Sequence, residues 1–250
     1  MPKPTRASSS KKESDPTTAE ERHSPVTENY LLSLYKLWED SDFPTVTQLT
    51  DNLKRLPPTE GLGTSVPSVA GMVRRMEKQG LVDVGSDKRI RLTSSGVEGG
   101  EDIARRHRLA EWLVVKLLDM PLHQAYVEAH QLEHGMSHEL ETRLTECLGY
   151  PTKSPFGRLI PGVGENSSPP GALPLSQADT GLPYVVERIP EEDVDLLKFL
   201  DEWHITPGNK LSISELAPYR GVMTIITELG DVSLGYNVAQ QILVVPLPSN

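Results

Sequence analysis

The sequence has little cysteine, no long apolar run and no apolar N-terminal segment. Cys147 is the one cysteine among 250 residues, which excludes an intramolecular disulfide and is typical of the reducing cytoplasm. No run approaches the roughly 18–20 apolar residues that cross a bilayer, so no membrane partner is expected. Residues 1–24 are polar and lack the apolar core of a secretory signal, which predicts a disordered tail on a cytoplasmic protein.

The net charge is −10, but it is unevenly distributed along the chain. Residues 51–108 hold 11 Lys and Arg against 8 Asp and Glu, a net charge of +3. Residues 109–150 hold 2 against 7, and residues 151–250 hold 6 against 12. A uniformly acidic chain would argue against a nucleic-acid partner, whereas this one basic window permits a local phosphate-binding face.

Three amphipathic helices and two short strands follow the polar tail. The helices are predicted over residues 26–39, 45–56 and 65–80, and the strands over 81–84 and 89–92, around the turn GSDK. In the first helix the stripe from Tyr30 to Trp38 is assigned to the core, and in the third Val66, Val69, Val73 and Met76 recur at helical spacing. This order is that of a winged helix-turn-helix domain, predicted over residues 25–93.

The third helix is predicted to enter the DNA major groove. It has small polar residues at its N-terminal end and arginines behind them, while the wing between the two strands offers cations for phosphates. A solvated face would explain the arginines of an isolated helix, but the complete order of elements favours DNA. The predicted DNA-binding residues are Ser65, Pro67, Ser68, Gly71, Arg74 and Arg75 on the helix, with Lys88 and Arg89 on the wing.

The next segment, 94–148, is helical and contains five of the seven histidines. His107 and Glu111 are spaced i, i+4, and His130, Glu133 and His134 are spaced i, i+3, i+4, so each set shares one helix face. Two such helices facing each other could close a divalent transition-metal site, although single helical histidines are usually surface residues. Long amphipathic helices after a winged helix also commonly form a dimer interface, so we predict a helical metal-binding and dimerisation domain here.

Two alternatives remain open on these residues. The sequence HQLEH, residues 130–134, matches the H-x-x-E-H pattern of a zinc metallopeptidase, in which the glutamate acts as general base. That enzyme would need a third ligand and a substrate cleft, and it gives the basic window no role. The other alternative is a DNA-binding protein that has lost its response to metal.

The C-terminal part differs in amino-acid composition from the preceding helices. Residues 149–182 are rich in Pro, Gly and Ser and are predicted to be a linker. Residues 183–250 contain one short helix and several short strands separated by Gly and Pro, which predicts a small β-barrel. The whole chain is therefore expected to be mainly α-helical with small β parts.

Five segments resemble one known family, the metal-dependent transcriptional repressors typified by the diphtheria toxin repressor, the iron-dependent regulator and the manganese transport regulator. The resemblance covers about residues 25–245. The matching segments are GMVRRMEKQGLV (71–82), VGSDKRIRLTSSG (84–96), RRHRLAEWL (105–113), EAHQLEHGMSHELETRL (128–144) and SPFGRLIPG (154–162). The resemblance implies a C-terminal SH3-like domain, a homodimer, a double-stranded DNA operator, and a repressor of iron or manganese homeostasis genes whose metal orders the N-terminal helix.

The resemblance also implies a set of metal ligands. Glu133 and His134 match one shared ligand pair, and His107 and Glu111 match the pair on the preceding helix. His130 replaces the Cys or Glu of the family. The family favours Mn²⁺ or Fe²⁺, while nitrogen-rich ligation also admits Zn²⁺ or Co²⁺.

Several positions depart from the family pattern. Asn29 stands where the family has Met or Asp and is retained as a ligand, since its amide oxygen can coordinate. Leu32 takes the place of a second carboxylate of the manganese regulators and cannot bind metal. Tyr126 replaces a histidine of a second metal site, and Asp193 lies near a position where the third domain of the iron regulators supplies a Glu.

Overall fold

A computed structural model describes residues 22–56, 61–163 and 170–247 of the chain. The predicted tail over residues 1–24 lies almost entirely outside these ranges. None of the described helices is long and apolar enough to cross a membrane.

The first domain is a winged helix in the predicted order. Its elements are α1 Pro25–Glu39, α2 Val46–Leu53, α3 Val66–Lys78, β1 Val82–Val84 and β2 Ile90–Leu92. The strands are antiparallel, with Val82 opposite Leu92. Tyr30, Leu31 and Leu34 of α1 are buried as predicted, because their spacing puts them on the face that packs on the other helices. Trp38 and Val66 depart from the predicted pattern, since they lie at helix ends and are 38% and 42% exposed.

The second domain is a set of helices packed on α1. It comprises α4 Ser94–Trp112, one π-helical turn Leu113–Leu117, α5 Leu122–Leu132, a 3₁₀ turn Glu133–Gly135, and α6 His138–Leu148. Helices α1 and α4 approach closely at Gly100, where an added Cβ would lie 2.8 Å from the Tyr35 side chain. This close approach places the N-terminal turns of α1 beside the histidines of α4 and α5.

The third domain is a six-stranded antiparallel sheet with the strand order β3-β8-β4-β5-β6-β7. Two helices accompany the sheet, and α7 packs against α5 of the second domain. The elements are β3 Leu173–Pro174, β4 Pro183–Arg188, α7 Val194–Glu202, β5 Lys210–Ala217, β6 Val222–Thr227, β7 Gly230–Gly235, α8 Tyr236–Ala239 and β8 Leu243–Pro246.

The segment predicted as a linker, 149–182, is a linker only in part. Phe156 and Ile160 are fully buried, and Leu173–Pro174 pairs with β8 as an edge strand of the sheet. Gly157 has a φ of +93°, and a Cβ there would lie 2.0 Å from the carbonyl oxygen of Glu187. The apolar residues of this segment therefore fasten the second domain to the third, a function that its Pro and Gly content does not reveal.

Ion pairs complete this attachment at the C-terminal end of α1. The fully buried Arg108 of α4 lies 2.6 Å from Glu39, and Arg158 of the connecting segment lies 3.2 Å from both Glu39 and Asp40. Arg188 of β4 contacts Asp40 at 2.8 Å. The end of α1 is thus bound by ion pairs to α4, the connecting segment and β4.

Candidate metal centre and DNA-binding face

His107 is the central side chain of the buried polar cluster. It is fully buried on α4, with Nδ1 2.5 Å from Glu133 Oε2 and Nε2 3.1 Å from Glu111 Oε1. The two imidazole nitrogens therefore face two different carboxylates. As a result, the predicted ligands fall into two groups that share His107.

The first group comprises His107, His130, Glu133 and His134, which the end of α5 and the following 3₁₀ turn bring together. The α-helix stops at Leu132, but the 3₁₀ turn continues its direction, so the His130 and His134 rings stay 5.6 Å apart. Glu133 Oε1 lies 3.0 Å from His130 Nδ1 and 3.5 Å from His134 Nε2.

Besides His107 Nε2, which faces Glu111, three buried atoms of this group lack a well-aligned hydrogen bond among the described residues: Glu133 Oε1, His130 Nδ1 and His134 Nε2. Buried polar atoms without partners destabilise a fold unless something else satisfies them. Two imidazoles and a carboxylate that converge in this way are a donor set suited to a divalent transition metal. The residues present therefore fit the metal that the sequence predicts.

Helix α1 supplies two further side chains to this group. The side-chain amide nitrogen of Asn29 lies 3.5 Å from His130 Nε2. Glu28, which no sequence pattern singles out, lies 2.6 Å from His134 Nδ1 and 2.8 Å from the fully buried Arg106. A carboxylate on one imidazole nitrogen fixes the tautomer and directs the other nitrogen toward a metal. Glu28 thus connects this first group of predicted ligands to α1 of the winged-helix domain.

The charges of the group are strongly coupled. Burial alone would lower the pKa of His107, but the carboxylates of Glu133 and Glu111 outweigh it and raise that pKa to about 10. Burial alone would raise the pKa of Glu133, but the positive charge of His107 outweighs it and lowers that pKa to about 2. Burial likewise opposes ionisation of Glu28, but hydrogen bonds from His134 and Arg106 lower its pKa. The ionised pair of His107 and Glu133 is therefore the stable form of the cluster.

The second group is formed by His107, Glu111 and Glu191, whose ligand atoms lie within 4.8 Å of one another. Glu191 comes from the third domain and is 2% exposed. It takes the place that the resemblance suggested for Asp193, which instead caps α7 by accepting a hydrogen bond from the Leu196 backbone at 3.0 Å. Glu111 belongs with Glu191, on the far side of His107 from His130 and Glu133.

Most of the predicted DNA-binding residues are exposed. Ser65 caps α3 by accepting from the Ser68 backbone. Arg74 and Arg75 are exposed and form no ion pair with another described residue, so both can contact phosphates. The exposed residues among those predicted are Ser65, Pro67, Ser68, Arg74, Arg75 and Lys88, while Gly71 is half-buried. Arg89 is also half-buried and donates to the Phe43 carbonyl, which leaves Lys88 as the better-placed cation of the wing.

Three family models match successive parts of the chain. They are the iron dependent repressor N-terminal DNA binding domain over residues 23–90, the iron dependent repressor metal binding and dimerisation domain over 93–162, and the FeoA domain over 173–246. The iron-dependent repressor IdeR of Mycobacterium tuberculosis is 33% identical over 231 residues, which cover 88% of this chain and 96% of that protein. This chain belongs to the iron-dependent repressor family.

Two further repressors are similar to this chain. The diphtheria toxin repressor of Corynebacterium diphtheriae is 36% identical over 140 residues, 56% of this chain and 58% of that protein. A solved manganese-dependent transcriptional repressor in complex with manganese superposes with a TM-score of 0.74 at 27% identity, over 88% of this chain and all of the other. The family predicted from the sequence is therefore confirmed, together with its three-part fold.

The relatives also bear on the zinc metallopeptidase alternative. The relatives are regulatory DNA-binding repressors, and none of them supports the zinc metallopeptidase suggested by HQLEH. In this repressor the Glu133 carboxylate is fully buried against His107. A general base must reach a substrate, and burial of this kind is instead what a structural or ligand carboxylate shows.

Proposed function

We propose that this repressor binds operator DNA when a divalent ion, Fe²⁺ or Mn²⁺, is held by His130, Glu133 and His134, with His107 and Asn29 completing the site. The observation that carries the proposal is the convergence of three buried atoms, Glu133 Oε1, His130 Nδ1 and His134 Nε2, none of which has a well-aligned hydrogen bond to a described residue. A bound divalent ion would accept the lone pairs of these three atoms. The names of the relatives, iron-dependent and manganese-dependent repressors, support the choice of ion.

The chain's own residues couple this site to DNA. Asn29 and Glu28 lie in the first turns of α1, next to His130 and His134, so filling the site stabilises the packing of α1 on α4 and α5. Because α1 packs in the core of the winged helix, its position fixes where α3 points. In a homodimer through the helical domain, this sets the separation of the two α3 helices to match an operator. A ligand that binds this arrangement more tightly shifts the protein toward it.

Each part of the chain has its own role in this function. Residues 25–93 bind DNA through α3 and the wing, residues 94–148 bind metal and form the dimer, and the sheet domain packs beside them. Since the partner is operator DNA, we place the protein's action in the cytoplasm. The genes it controls are those of iron or manganese homeostasis, in keeping with the relatives' names.

The decisive experiment measures binding to the DNA upstream of the protein's own gene. Binding is titrated by fluorescence anisotropy in chelator and then with Mn²⁺, Fe²⁺ or Zn²⁺. A metal-dependent gain of about 5–150-fold in affinity is expected, which is the usual range of coupling between two sites. His134→Ala should abolish this gain while helical content is kept, and His204→Ala, an exposed histidine paired with Glu228 in the third domain, should preserve it.

Three other outcomes of these experiments would contradict the proposed function or its metal site. Equal operator affinity with and without metal would establish a repressor that has lost its switch. An unchanged metal response in His134→Ala would refute the site. Peptide cleavage in the presence of zinc would revive the peptidase alternative.

A further inference from the structure

A buried lysine lies beside the second group of ligands. Lys36 of α1 is 8% exposed, and its ammonium contacts Glu191 Oε1 and lies 3.0 Å from Glu192 Oε1. A lysine is almost never buried this deeply unless it is paired, because removing its charge from water is costly. Two carboxylates of the third domain provide that pairing, across 155 and 156 positions of sequence.

Glu191 is also the residue that completes the group of His107, Glu111 and Glu191. Both of its carboxylate oxygens already face a cation, since Oε1 contacts Lys36 and Oε2 lies 3.6 Å from Arg158 Nε. A divalent ion bound at Glu191 would therefore lie within a few ångströms of an ammonium and a guanidinium. Like charges at that distance, in a site with little water, repel strongly.

The other neighbour of the ammonium is the ring of Tyr126. The Lys36 nitrogen lies 4.4 Å from its centroid, and the same ring packs edge-on against His107 at 5.0 Å. An aromatic face attracts an ammonium, whereas a divalent metal requires nitrogen or oxygen ligands in its coordination sphere. On this side the pocket thus presents an aromatic face to the ammonium.

We propose that the Lys36 ammonium takes the place of a second divalent cation in the pocket of His107, Glu111 and Glu191. Each protomer then holds one exchangeable metal ion rather than two. The contact between α1 and the third domain, which a second ion could otherwise make, is built into the chain and persists when metal is removed. The role of Lys36 goes beyond the proposed function and does not depend on it, whereas the count of one ion per protomer rests on that function.

The charge state of the lysine is consistent with this role. Burial alone would lower the pKa of Lys36, but Glu191 and Glu192 outweigh it and raise that pKa above its ordinary value. Burial raises the pKa of Glu111, and neither of its carboxylate oxygens accepts a well-aligned hydrogen bond from a described residue. Removing the ammonium would therefore leave a pocket with unsatisfied carboxylate oxygens and a surplus of negative charge.

The test counts Mn²⁺ ions bound per protomer of the full-length protein, by equilibrium dialysis and elemental analysis. Lys36→Met keeps the length of the side chain and removes its charge, and should bind one more Mn²⁺ than the wild type. Lys36→Met combined with Glu191→Gln should return to the wild-type number. Lys198→Met, which removes an exposed lysine paired with Asp195, should match the wild type.

Two results would overturn the proposal: an equal number of ions bound by wild type and by folded Lys36→Met, or an extra ion that persists in the double variant. If Lys36→Met is unfolded in chelator, Mn²⁺ should restore its folding, whereas a failure to restore it would also overturn the proposal. The proposed function is tested separately by the wild-type count itself. A wild type that binds no Mn²⁺ would refute the first site, yet the difference of one ion between the two proteins would still support the role of Lys36.

Discussion

His134 Nδ1 lies 2.6 Å from Glu28 Oε2. This contact joins the first group of predicted ligands to the first turn of α1 across 106 positions of sequence. Glu28 is also held by Arg106, whose other carboxylate partner is the half-exposed Asp102. Glu28 therefore positions the imidazole of His134 without itself being one of the proposed ligands.

Glu28→Gln should weaken Mn²⁺ binding by about 10–100-fold, the usual effect of removing a carboxylate that orients a ligand histidine. Mn²⁺ titration of the chelated protein gives the affinity. Asp102→Asn is the matched control, because it removes a partner of Arg106 and leaves His134 untouched. Equal losses in the two variants would show that Arg106, rather than the orientation of His134, is responsible.

Arg74→Ala and Arg75→Ala should each weaken binding to specific and nonspecific DNA alike. Both guanidinium groups are exposed on α3 without an ion-pair partner among the described residues. Loss of one phosphate contact should reduce the slope of log affinity against log salt by about 1. Anisotropy titrations at several salt concentrations measure this slope. Arg143→Ala, an exposed arginine of α6 paired with Glu139, should keep it, and an unchanged slope in the α3 variants would contradict the docking face.

Leu132→Glu should convert the dimer to a monomer. Leu132 ends α5 and is 39% exposed, and the exposed leucines of the helical domain also include Leu117, Leu118 and Leu140. Apolar surface of this kind is typical of a subunit interface, and a buried unpaired carboxylate would destabilise it. Light scattering should show twice the chain mass for the wild type and the chain mass for the variant. Leu229→Glu, at an exposed leucine of the third domain, should remain dimeric.

The stability of the chelated protein should decline above pH 6.5. The pKa of His107 is about 10 in the folded protein, against an ordinary value of 6.5, so its contribution is complete below pH 6.5 and is lost as pH rises toward 10. The pKa of Glu133 is about 2 against 4.5, so its contribution is present above pH 4.5 and is lost as pH falls toward 2. The pair therefore stabilises the fold most between pH 4.5 and 6.5.

Urea denaturation in chelator at pH 6.5, 8 and 9.5 measures this decline, which should be on the order of a few kcal/mol. His107→Gln should be less stable than the wild type at pH 6.5 and show a flatter pH profile. His204→Gln, which removes an exposed histidine of the third domain, should keep the wild-type profile. A variant at position 107 with the wild-type profile would show that another group titrates.

The winged helix could be predicted because apolar periodicity records which side of each helix is buried. Leu31 and Leu49 are fully buried for that reason, and the exceptions, Trp38 and Val66, lie at helix ends where the core stops. The clustering of His130, Glu133 and His134 could be predicted in the same way, since the three residues are neighbours in sequence. Their spacing remains effective even though the α-helix ends at Leu132.

Glu191 and Lys36 could not be found by such reasoning. Glu191 follows Pro190 in an irregular segment, and no spacing rule connects it to His107, which lies 84 positions earlier. Lys36 lies on a helix in which a lysine would ordinarily be solvated, and only the docking of the third domain buries it. Contacts between domains depend on how whole elements pack, and a local pattern does not contain that information.

The backbone geometry at Gly157 restricts which substitutions this sequence can accept in evolution. Its positive φ and its closeness to the Glu187 carbonyl leave no room for any side chain. A substitution would displace the strand that leads to Glu191, so selection would remove it even though Gly157 touches neither metal nor DNA. A genetic screen for loss of repression should therefore recover changes at Gly157, and its revertants should restore glycine rather than compensate elsewhere.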